Sequence, residues 1–90
     1  MFAEPINTEV QTEKFFVFYQ DEQKNWQQFD GTAIGISRNV YAAMMRKYHY
    51  QQQGELLLEK TASLVKHEVL VWEMWRVSPT DSVQVGQWQP

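Results

Sequence analysis

Few side chains in this sequence are of the kind that do chemistry. Histidine occurs only at His49 and His67, and Glu68 follows the second. A histidine beside a carboxylate can serve acid–base work, but no nucleophile or second metal ligand stands at a spacing that would employ it. Both imidazoles read as surface groups, His49 on the polar side of a helix and His67 in a hairpin turn. Asp21 and Glu22 are adjacent carboxylates in a turn-forming stretch, where solvent keeps such groups ordinary; acid–base roles need a cleft. Gly31 to Gly35 (GTAIG) leads into Ser37 and a helical pattern. It lacks the Lys-Ser/Thr ending of a phosphate loop and the full dinucleotide fingerprint, so it reads as a turn entering a helix. Cysteine is absent, which removes thiolate nucleophiles, disulfides and Cys-ligated metals. The expectation is a non-enzymatic binding protein without cofactor or metal.

Two features have binding potential. The first is a basic helix face. The chain carries eleven acids against eight bases, net −3, yet the stretch Ser37–Gln53 holds Arg38, Arg46 and Lys47 and no acid. Arg38, Arg46 and His49 align across Ala42, with Lys47 and Tyr50 on the flanks, a mixture suited to a phosphate backbone or an acidic protein surface. Mild overall acidity speaks against a general nucleic-acid binder. The second is the run Glu68–Val77 (EVLVWEMWRV). Trp72 and Trp75 have opposite parity in it, so one of them must leave the helix-covered face. Tryptophan and Met are enriched in interface cores and hot spots. The face left over is covered by the tail carrying Trp88 or by a second copy of the chain. The expected partner-binding residues are Arg38, Arg46, Lys47, His49, Tyr50, Trp72 and Trp75.

The elements that position these residues follow from pattern. Lys14–Gln20 (KFFVFYQ) is a strand with apolar groups on both faces. Asp21–Asn25 is a turn, Asn25–Phe29 a short returning strand, and Asp30-Gly31 the next turn. Ser37 caps a helix running to Gln52 or Gln53, with Gly54 as the residue that ends it. Val40, Tyr41, Ala43, Met44, Met45 and Tyr48 form its apolar arc. Leu56–His67 reads as a hairpin in preference to a helix, because Gly54 ends the preceding helix and an extended segment follows. In Glu68–Val77, Leu70, Trp72 and Met74 share one face and Val69, Val71, Trp75 and Val77 the other. Pro79 ends that strand.

The predicted fold is α+β, a small antiparallel sheet in ββαββ order with one amphipathic helix packed on a face. Residues 1–12 are expected to be a flexible segment, residues 13–79 a single domain, and residues 80–90 a tail or short edge strand through Val83 and Val85. Four tryptophans, four tyrosines and five phenylalanines give so short a chain enough apolar bulk for a core. No signal-like start is visible and no apolar run approaches the ~20 residues that cross a bilayer. A cytoplasmic location away from membranes is expected.

In its shortness, acidity and lack of catalytic motifs the chain resembles the small cysteine-free proteins that phages and mobile elements make against host machinery, anti-CRISPR proteins among them. No specific motif carries the resemblance. It implies an inhibitor that docks rigidly on a protein or nucleoprotein complex. Two alternatives stand beside it: a nucleic-acid-binding accessory protein using the basic helix, and a homodimeric or larger assembly protein using the tryptophan strand.

Overall fold

The computed structural model describes residues 13–66 and 69–90. The expected flexible segment 1–12, His67 and Glu68 lie outside the described residues. Six elements carry the fold: strands β1 (Lys14–Asp21) and β2 (Trp26–Phe29), helices α1 (Arg38–Tyr50) and α2 (Gly54–Leu64), then strands β3 (Val69–Val77) and β4 (Ser82–Trp88). They build a four-stranded antiparallel sheet of order β2-β1-β3-β4, with both helices on one face. The α+β class stands, and the order is ββααββ.

β1 is central, as apolar groups on both of its faces require. The turn after it is held by Asp21, whose carboxylate accepts from the backbone N–H of Gln23 and Asn25 at 3.0 and 2.9 Å. Gly31 and Gly35 flank a 3-10 turn (Thr32–Ile34) with φ of 94° and 83°. Gly31 has a packing reason as well, since a Cβ there would meet Tyr41 at 2.8 Å. Ser37 caps α1, its Oγ accepting from Val40 N–H at 3.3 Å.

The second helix corrects the hairpin expected over Leu56–His67. Glu55, Leu56, Leu57, Leu58, Glu59, Lys60 and Ala62 are strong helix formers. Leu57, Leu58 and Thr61 fall on one helical face and are buried. Gly54 therefore does not end α1; it opens α2, buried against Met74 and the Val85 carbonyl. Gln52 ends α1 at φ 59°, with Gln53 N–H donating to Tyr48 O and Gln52 N–H to His49 O. That is the paired hydrogen-bond closure in which glycine is usual.

The core lies between the layers. Val17, Tyr41, Leu57, Leu58, Trp72 and Met74 are fully buried. Irregularities in the ladders adjust the edges. One opposite Gln20/Asp21 leaves Leu70 exposed and sets Val69 against the core, correcting the face expected for both. Another at Met74/Trp75 lets Val85 bulge from β4. Trp88 sits opposite Trp72 and packs on the helix side of the sheet, so it does not cover the other face.

Candidate docking groove beside the first helix

β2 stops early. Its last rung pairs Phe29 with Val17, so among the described residues Lys14, Phe15 and Phe16 are paired on one side only, with Val77, Arg76 and Trp75. The chain leaves the sheet at Asp30, makes the 3-10 turn and returns as α1. Between α1 and this uncovered length of β1 opens a groove of about 950 Å³. Phe15, Phe29 and Met45 floor it; Asn39, Ala42 and Ala43 wall it with short side chains; Lys14, Arg38, Arg46 and Lys47 bring positive charge to it.

Charge in the groove is partly matched from within. Arg38 Nε lies 3.5 Å from Asp30, although its side chain is 79% exposed. The Thr32 hydroxyl and N–H both donate to the Asp30 carboxylate, at 2.7 and 3.1 Å, and hold it below the usual carboxylate range, with Arg38 adding to the effect. Arg46 donates to the Glu13 carbonyl at 2.9 Å, lies 3.5 Å from the Glu13 carboxylate and stacks 5.3 Å above the Phe15 ring. The same carboxylate accepts from the Tyr50 hydroxyl and lies 3.6 Å from Arg76. Glu13 raises the pKa of that hydroxyl, because a proton shared with a carboxylate is harder to remove. Lys14, at the sheet edge with the parity of the open face, and Lys47, on α1, make no ion pair among the described residues.

The seven residues expected to bind a partner therefore separate. Arg38, Arg46 and Lys47 line the groove. His49 and Tyr50 sit at the end of α1, where His49 packs on Phe15 with ring centroids 5.1 Å apart and Tyr50 closes on Glu13. The helix is rotated from the expected arc. Arg46 and His49 lean in toward Phe15, while Val40 is 54% exposed and Ala43 is exposed too. The aromatic floor of β1 is responsible: it accepts a guanidinium and an imidazole as readily as an alkyl group. Trp72 has no accessible surface and is a core residue, out of reach of any partner; its indole N–H has no hydrogen-bond partner among the described residues. Trp75 lies on the opposite sheet face, half-buried, donating to Glu73 at 3.0 Å.

Sequence reasoning missed several of these residues. Glu13 and Asp30 were not linked to the arginines, since both contacts join distant parts of the chain. Phe16 and Phe18 stack at 6.3 Å on the open sheet face beside Trp75, and Trp26 is 48% exposed at its edge. Alternation from Phe15 and Val17 was the signal that could have placed them.

Among the described residues no three of His, Asp and Glu come together as a metal site, and no helix is long and apolar enough to cross a membrane. No family model, curated protein or solved structure matches this chain.

Proposed function

We propose that this protein is a non-enzymatic docking module that engages an acidic surface of a macromolecular partner through the groove beside α1. Blocking by occupancy, as small phage and mobile-element inhibitors do, is the mode of action proposed. One observation carries the reading. Four bases against two acids make the groove net +2 in a chain of net −3, which leaves −5 on everything else. Such an arrangement orients an approaching acidic partner and repels it from other faces. Both acids at the groove are already held by arginines, so the surplus charge belongs to Lys14 and Lys47. Phosphates carry the same sign and are the competing ligand. Titration with poly-L-glutamate and with single-stranded DNA, each at two salt concentrations, tests the reading. Poly-L-glutamate should bind more tightly, and Arg38→Glu with Lys47→Glu should abolish the binding. Equal binding by the double variant, or preference for DNA, refutes it.

The open sheet face supports a second reading, self-association. Phe16, Phe18 and Trp75 lie there with no helix of the described residues over them. Lys14 and Glu73 share that face two rungs to either side of the Phe16–Trp75 rung. A two-fold axis along that rung would lay each copy's lysine near the other's glutamate. Sedimentation across a concentration range should show a dimer weakened by Lys14→Glu and restored by Lys14→Glu with Glu73→Lys. A monomer at every concentration removes the reading.

A further inference from the structure

Resting on the docking reading, we infer how the partner binds: an extended acidic segment of another polypeptide adds as a strand to the free edge of β1 at Lys14–Phe16. β-Sheet edges recruit strands because their N–H and C=O groups have no partner. Among the described residues the edge is free because β2 ends opposite Val17, three residues short of the start of β1, while β3 pairs with β1 over the whole length. An added strand would continue the line of β2 within the sheet.

The surroundings select its side chains. Residues of an added strand alternate between the two faces. One set would point under α1, toward Phe15, Phe29 and Met45, where the short side chains of Ala42 and Ala43 leave room. The other set would point past Phe16 to the open face. Carboxylates on the segment would meet Lys14 on the open sheet face and Lys47 on the helix side, the two cations at this groove that no described acid satisfies. The chain supplies internal precedents, since Asp30 and Glu13 already bring carboxylates to Arg38 and Arg46 at this groove. A nucleic-acid strand uses charge equally well but makes no ladder, so backbone hydrogen bonding separates the two.

The test uses the full chain and a synthetic nine-residue peptide that alternates Val and Glu. A second peptide of the same sequence is N-methylated at alternate amides along one edge, which keeps charge and side chains and removes the ladder donors. The unmodified peptide should bind, slow the hydrogen exchange of groove-facing amides in Lys14–Phe16, and shift the Phe29 and Lys47 resonances. N-methylation on the pairing edge should weaken binding about tenfold, the scale of one or two lost backbone hydrogen bonds. Methylation on the opposite edge should leave it within about threefold. Equal binding by all three peptides overturns strand addition and leaves charge-driven docking standing. Failure of every peptide, together with failure of poly-L-glutamate, overturns both.

Discussion

Tyr41 and Thr61 tie the two helices together, and the pair makes a sharp test of how the helical layer is held. Tyr41 Oη lies 2.8 Å from Thr61 Oγ1, with the residues 0% and 2% exposed. Thr61→Val keeps the shape and strands the tyrosine hydroxyl, at a cost of about 1–3 kcal/mol. Tyr41→Phe strands the threonine hydroxyl instead, which can turn to a carbonyl one helical turn back, so about 1 kcal/mol is expected. Replacing both removes donor and acceptor together, and the double variant should be more stable than additivity predicts by about 1 kcal/mol or more. A domain of this size loses roughly 4–8 °C in Tm per kcal/mol, so thermal and urea unfolding resolve all three variants. Additive costs, with coupling inside about 0.3 kcal/mol, would refute the reasoning. Alkaline unfolding offers a second readout. Burial pushes the Tyr41 pKa up to about 12, and the Thr61 bond opposes the shift. A raised folded-state pKa means the fold holds this proton more tightly than the unfolded chain. Its contribution is therefore complete below pH ~10 and lost between ~10 and ~12, at about 1.4 kcal/mol per unit. Tyr41→Phe should remove that slope.

Gly31→Ala should cost more than about 2 kcal/mol, since φ is 94° and the new methyl would lie 2.8 Å from Tyr41. Gly35→Ala, with open space around it, should cost only the ~1 kcal/mol of left-handed backbone, and urea midpoints compare the two. Gln52→Gly should stabilise by roughly 0.5–1 kcal/mol, because Gln52 holds φ 59° where glycine carries no Cβ strain; a lower Tm would contradict this. Glu13→Gln should return the Tyr50 hydroxyl toward the ordinary tyrosine range, as followed by ultraviolet difference titration.

What could be read in advance was whatever local pattern controls. Paired apolar faces located β1 and β3, Asp21 and Asn25 the turn, and Ser37 the start of α1. The second helix was lost to one glycine. Gly54 resembled a terminator, and that judgement turned good helix formers into a hairpin, although the left-handed position belonged to Gln52. The helix face was misjudged for a related reason: an apolar arc assumes an aliphatic floor, and Phe15 draws in Arg46 and His49 instead. Of the groove residues, Arg38, Arg46 and Lys47 were visible because charge asymmetry is compositional. The groove itself was not, because it depends on where β2 stops. The shared parity of Phe16, Phe18 and Trp75 on the open face was available from alternation alone, but Trp72 was named beside Trp75 and is core.

The strand order also bears on how the protein is made. β1 finds one neighbour, β2, within a few residues, but its other neighbour is β3, beyond both helices. During synthesis its aromatic side chains must wait until both helices have been made before their second strand emerges. Helices α1 and α2 can form from local contacts, yet the floor they rest on is complete only when β3 and β4 arrive. Closing that long loop should set the folding rate. Substitutions along the β1–β3 ladder should then slow folding, while those at the outer turns of the helices speed unfolding.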